Sequence, residues 1–167
     1  MKIVVGLGNP GKKYQNNRHN VGHLFIDYLI NQLKDSRINE LKIIKTDCFM
    51  NESGVFIKKT LHVTRYTLHD LIIVHDDLDI PFGKFHIQLG VGPKLHNGLE
   101  SIEQHLKTND FWRIRIGVDA RTPQRSVDGE TYVLKNFLTE EKIKLEKDIF
   151  PKLFLQFQTF LKLQASL

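Results

Sequence analysis

Two kinds of apolar pattern alternate along this 167-residue chain: short uninterrupted runs, and longer stretches whose apolar residues recur every three or four positions. The runs KIVVGL, LKIIKT and LIIVHDDL predict buried strands, and the last ends abruptly in acids, as a buried parallel strand does. KFHIQL and RIRIGV alternate and predict two more strands, with Arg113 and Arg115 on one side of the second. Val21, Leu24, Phe25, Tyr28, Leu29 and Leu33 fall at helical spacing, with Asn20 as the expected cap. Residues 55–68 are expected to be helical, and a short helix over residues 97–106 would carry Leu99, Ile102 and Leu106 on one face. LTEEK predicts a helix start, with Thr139 as cap and Glu140 and Glu141 in the first turn. Pro151 is expected to break or restart that helix, and Phe154, Phe157, Phe160 and Leu161 of the helical tail to pack into the core. Strands that alternate with helices imply one α/β domain over residues 1–167, with a mostly parallel (mixed) central sheet flanked by helices.

Composition narrows the setting. A chain of this length buries a core without staples. The single cysteine, Cys48, excludes an intramolecular disulfide and a multi-cysteine metal site. No apolar run is long enough to span a bilayer, and the N-terminus lacks the features of a signal peptide, so a cytoplasmic protein is expected. The net charge of +5 permits a polyanionic partner without demonstrating one.

Gly6, Gly8 and Gly11 fit G-x-G-x-x-G after the first strand, the fingerprint of a dinucleotide turn. Two of its requirements fail. The motif runs into KKYQNNRHN, which has no helical periodicity, and the place of the ribose-binding acid is taken by the helix containing Asp27. No nicotinamide cofactor is therefore expected. Gly8-Asn9-Pro10-Gly11 reads instead as a rigid turn presenting the Asn9 side chain, an amide able to donate and accept without changing charge. In a parallel sheet the loops beyond the carboxyl ends of the strands gather on one edge. They carry Tyr14, His19, Phe49, Asn51, His75, Asp76, Lys94, His96 and Asn97, and no obvious serine or cysteine nucleophile. That set suits hydrolysis by an activated water: a histidine takes the proton, a carboxylate holds the ring, and asparagines polarise a carbonyl. A metal held by His19, Asp76 and His96 is the alternative, but no metal-ligand spacing is visible and none is expected.

The segments VVGLGNPGKKYQNNRHNVG, CFMNESG, IIVHDDLDIPFGK, LHNGLESI and FWRIRIGV, in this order, resemble bacterial-type peptidyl-tRNA hydrolase over residues 1 to about 137. The resemblance implies a cofactor-free monomer that cleaves the ester joining a peptide, or an N-blocked amino acid, to the 3′ end of tRNA, and so recycles tRNA from aborted translation. It implies His19 as catalytic base, Asp76 as its supporting carboxylate, and Asn9 as the residue that helps distinguish a blocked amino group. Tyr14, Phe49, Asn51 and Asn97 match positions that contact the peptide and terminal adenosine. His96 precedes Asn97 as in the family motif and is taken with the substrate-binding set. Arg115 matches a position used on tRNA phosphates. A non-catalytic RNA-binding protein on the same fold, like the organellar splicing factors similar to this family, is the alternative; such a descendant need not keep the His–Asp–Asn set that is intact here.

The chain departs from the family in places. The usual GGGHGGHNG is GVGPKLHNG here, which introduces Pro93, Lys94 and Leu95. A lysine pair before that loop is replaced by His86 and Gln88, with Lys84 two residues upstream on the same alternation face. Lys84 and Lys94 are thus candidate phosphate contacts. The segment before CFMN is reduced to one strand, and Cys48 stands where threonine is usual and is expected to be a buried, inert thiol.

Overall fold

The computed structural model describes residues 1–34, 41–125 and 127–166. Five strands form one sheet in the order β2-β1-β3-β5-β4. They are β1 (Lys2–Gly6), β2 (Leu41–Lys45), β3 (Leu71–Pro81), β4 (Phe85–Leu89) and β5 (Trp112–Asp119). All pairs are parallel except β4 against β5. The mixed α/β sheet expected from the pattern is therefore the one observed.

Helices α1 (Val21–Leu33) and α2 (Ser53–Thr64) cover opposite faces. Along β1, Val4 joins one apolar layer, with Phe25, Leu29 and the C-terminal helix residues Phe150, Leu153 and Phe157. Ile3 and Val5 join the other, with Ile57 of α2 and with Leu99 and Ile102 of α3 (Asn97–Leu106). A strand covered on both faces has no polar face to keep, which is why β1 and the first half of β3 read as unbroken apolar runs.

Three expectations at helix ends need correction. Helix α2 begins and ends earlier than residues 55–68. Asn20 stands at the N-cap of α1, but its side chain makes no capping bond. Thr139 is the first residue of α5 (Thr139–Lys144) rather than its cap; Leu138 precedes it, and Glu141 reaches back to accept from the Leu138 N–H at 2.8 Å. After a short α4 (Gly129–Val133), α5 passes through a π turn, Leu145–Ile149, into α6 (Phe150–Ala165). Pro151 lies in the first turn of α6, where the π turn has already shifted the hydrogen-bond ladder, so the missing N–H does not break the rod.

Glycines let this layer close on the sheet. A Cβ on Gly22 would lie 2.4 Å from the Val74 carbonyl oxygen and 2.6 Å from that of Leu7. A Cβ on Gly6 would lie 2.6 Å from the Gly22 carbonyl oxygen. The start of α1 therefore rests backbone to backbone on the end of β1 and on β3 beside it, and the 3-10 turn before it, Arg18–Asn20, is carried there with it. Gly22→Ala is expected to destabilise the fold by at least about 2 kcal/mol, through overpacking against rigid carbonyls. A denaturant midpoint equal to that of the wild type would refute this account of the contact.

Candidate active site

From β1 the chain crosses to β2 on one side and then to β3 on the other. The point between β1 and β3 is therefore a topological switch, where helices leave to opposite faces and a crevice opens. Gly6 pairs with Val74 as the last rung between these strands, so β3 continues past the end of β1. His75, Asp76 and Asp77 occupy that overhang, and all three are buried.

Asp76 is the hub. The 3-10 turn places His19 Nδ1 at 2.9 and 3.0 Å from the two carboxylate oxygens. From the other side, His96 Nε2 lies 2.9 Å from Oδ1. The His96 Nδ1 accepts from the Gly98 and Leu99 N–H groups at the start of α3, at 3.2 and 3.3 Å. That nitrogen therefore carries a lone pair, the proton sits on Nε2, and His96 is a neutral ring donating to Asp76. His19 likewise donates from Nδ1, which leaves Nε2 as its basic nitrogen, toward the cleft.

The charges follow from this geometry. Burial works against ionised Asp76, but the two imidazole donors outweigh it and hold the carboxyl far below the usual range. Burial also pulls the His19 pKa down; the charge and hydrogen bond of Asp76, with the charge of Glu130, reverse that and raise it above 6.5. His75, wholly buried, is pushed down to about 3, chiefly by burial. It is neutral at physiological pH and donates from Nδ1 to the Asp76 carbonyl at 2.7 Å, with its ring edge-on to His96.

The glycine turn presents Asn9 in one orientation. Asn20 clamps the Asn9 backbone, accepting from its N–H and donating to its carbonyl, both at 2.9 Å. The Asn9 Oδ1 accepts from the Met50 N–H at 2.8 Å. That bond turns the amide oxygen toward Met50 and leaves Nδ2–H as the donor Asn9 can offer the cleft. The sequence reading of an amide that both donates and accepts narrows to a donor. Thr46 fixes the turn further: its hydroxyl oxygen accepts from the Gly8 N–H at 3.2 Å.

These groups line a cleft of about 660 Å³. Asn9, His19, Phe49, Asn51, Asp76, His96 and Asn97 all border it. Tyr14 stands just behind, its ring edge-on to Phe49 at 6.3 Å. Met50 and Leu95 border it too, and so do Leu78, Asp128, Gly129, Glu130, Val133 and Leu134, none of which the sequence pattern marks as site residues. Asp128 and Glu130 belong to the N-terminal turn of α4, and only the capping pattern of Asp128 hinted at a helix there.

The predicted cationic set divides. Lys84 and Lys94 are exposed, with Lys84 at the carboxyl edge of the sheet beside the β3–β4 turn. Arg115, expected at the tRNA phosphates, is largely withdrawn from solvent. It is 8% exposed, donates from Nε to Asp77 Oδ2 at 2.8 Å, and reaches Gln88 Oε1 at 2.7 Å. Asp77 is a buried acid whose pKa burial raises, and Arg115 is its counter-ion. Since β4 runs antiparallel, its carboxyl end lies at the far edge of the sheet. The loop of residues 90–96 therefore has to return toward the site, and Gly92 packs on the Arg113 guanidinium along the way. Cys48 is half-buried rather than buried; burial, with Asp47 and Glu52, keeps its thiol protonated.

His19, Asp76 and His96 also bring three ligand atoms within 4.8 Å of one another. Their contacts have hydrogen-bond lengths, and each imidazole needs the proton that a metal ion would displace.

A crevice at the switch point, lined by a histidine–carboxylate pair and an asparagine amide, has the groups that suit a hydrolase. Comparison with known proteins gives the family: the chain matches the peptidyl-tRNA hydrolase family model over residues 3–166 and belongs to that family. It is 39% identical over 158 residues to the peptidyl-tRNA hydrolase of Aliarcobacter butzleri, covering 87% of this chain and 85% of that one. It is also 39% identical to that of Geotalea uraniireducens, covering 88% and 83%. A crystal structure of a peptidyl-tRNA hydrolase in complex with N-propanol superposes with a TM-score of 0.76 at 26% identity, covering 95% of this chain and 89% of that one.

Removing Arg115 strands a buried carboxylate. Arg115→Ala is expected to cost about 3 kcal/mol of stability, since breaking a buried pair leaves the partner charge uncompensated. Urea unfolding measures it, and a loss under about 1 kcal/mol would show that the pair is not structural.

Proposed function

We propose that the chain hydrolyses the ester of peptidyl-tRNA with His19 as general base, Asp76 as its anchoring carboxylate and Asn9 as carbonyl donor. The observation that carries this is the bond from His19 Nδ1 to both oxygens of buried Asp76, in a cleft shared with Asn9. His19 Nε2 takes a proton from water as the oxygen attacks the ester carbonyl. Negative charge gathers on the carbonyl oxygen, where the Asn9 Nδ2–H group suits it. The imidazolium, stabilised by Asp76, then returns the proton to the departing 3′ oxygen. Peptide acid and tRNA with a free hydroxyl result. An alcohol leaves more readily than an amine, so no covalent intermediate is required.

The same groups account for selectivity. An α-ammonium group, with a pKa near 8, gains little from the neutral amides of Asn9, Asn51 and Asn97 to offset its desolvation, and the carboxylates of the cleft wall, Asp128 and Glu130, stand apart from them at the start of α4. An acylated nitrogen brings a hydrogen-bonding amide instead. Phe49, half-exposed, is a platform for the terminal adenine, with Asn51 and Asn97 on the lip. Exposed Lys84 and Lys94 and the net charge of +5 favour the tRNA backbone. All these groups come from one chain, so the site works in a monomer, and we place the reaction in the cytoplasm, where translation supplies the substrate. No described helix is long and apolar enough to cross a membrane.

Catalysis requires neutral His19, and its pKa lies above 6.5. The rate on N-acetyl-aminoacyl-tRNA should therefore rise with pH through that raised pKa and then level. Asp76→Asn removes the charge that raises it and leaves burial to lower it, so the rise should move below 6.5 while kcat falls roughly 100-fold, within the range for lost acid–base positioning. His19→Ala should abolish turnover. An unmoved profile in Asp76→Asn would separate Asp76 from His19, and normal turnover by His19→Ala would end the mechanism.

A further inference from the structure

Leu95 is 86% exposed, more than any other large apolar residue described. It does not sit on a loose loop. Pro93 fixes one φ, the Lys94 N–H donates to Asp79 Oδ2 at 2.8 Å, and His96 is locked between Asp76 and the start of α3. The chain holds an apolar side chain in the open between two anchors, bordering the catalytic cleft.

Its neighbours in that cleft differ from one side to the other. Sheet order puts the loop after β2, with Phe49 and Asn51, on one flank of the His19–Asp76 unit. Leu78, from the end of β3, and Val133 and Leu134, which follow β5, lie on the other. The Lys94–Asp79 bond ties Leu95 to this second flank, next to Leu78. An aminoacyl ester extends in two directions from its carbonyl, toward the adenosine and toward the amino acid. The exposed ring and amides of the first flank suit a base and a ribose. The second flank offers aliphatic surface, bordered by the carboxylates of Asp128 and Glu130 at the start of α4, and no aromatic platform.

We propose that Leu95, with Leu78, Val133 and Leu134, forms a subsite for the side chain of the esterified amino acid, and that it selects bulky apolar residues over glycine. The inference rests on the hydrolase reading of the site and specifies its substrate class. Because the loop is anchored, little ordering is needed for Leu95 to cover a bound side chain. Aliphatic contact of this kind changes kcat/KM by about 10- to 200-fold when a methylene or more is gained or lost.

The test uses one tRNA body charged with N-acetyl-phenylalanine or N-acetyl-glycine, and compares kcat/KM for wild type, Leu95→Ser and Leu95→Met. The wild type is expected to favour phenylalanine at least about tenfold. Leu95→Ser should reduce that ratio at least about fivefold, and Leu95→Met, which keeps the apolar volume, should retain most of it. A wild-type ratio near one, or a ratio unchanged in Leu95→Ser, overturns the subsite while leaving the hydrolase intact. No turnover of either substrate by the wild type would overturn the hydrolase reading, and the subsite with it.

Discussion

The structure turns on one buried carboxylate. Taking Asp76 out of water costs several kcal/mol unless donors replace the lost hydration. Two imidazole N–H groups do so, one from each side. Neither ring can turn over without leaving an unmet charge, and this rigidity converts a stability requirement into a catalytic one. It fixes which nitrogen of His19 is basic. The cost of burying the acid is thus answered by the same two bonds that orient the base.

Other parts of the molecule serve those bonds. His96 reaches Asp76 only because its opposite nitrogen accepts from the first amides of α3, so the helix holds the ring and the ring caps the helix. His19 reaches it only because Gly6 and Gly22 allow the start of α1 to lie against the end of β1 and the adjoining part of β3. His75, held neutral by burial, braces the Asp76 carbonyl from behind. Asn20 gives up its capping role to clamp Asn9, and the Met50 N–H settles which end of the Asn9 amide meets substrate.

Much of this was legible in the sequence because it depends on local pattern. Unbroken apolar runs gave the doubly covered strands, and the late helix start after Gly11 argued against a dinucleotide turn. Long ordered motifs carried His19, Asp76 and Asn9. What escaped depends on partners distant in sequence. Arg115 and Asp77 lie 38 residues apart, and nothing local says that the arginine is spent inside. The direction of β4 escaped too, since alternation is the same in parallel and antiparallel strands, and with it the return path of the loop bearing Leu95. His96 looked like a ligand for substrate; its bonds to Asp76 and α3 appear only when three segments meet. Thr139 passed for a cap because Leu138, which precedes the helix, has no capping chemistry to announce it.

The claim most open to direct test is the proton arrangement around Asp76. Nitrogen NMR of the histidine rings reads it without reference to turnover. The account predicts neutral His96 protonated on Nε2 and bare on Nδ1, and His19 protonated on Nδ1, with Nε2 the nitrogen that gains the proton as pH falls. A neutral His19 carrying its proton on Nε2, or a His96 protonated on Nδ1, would contradict it.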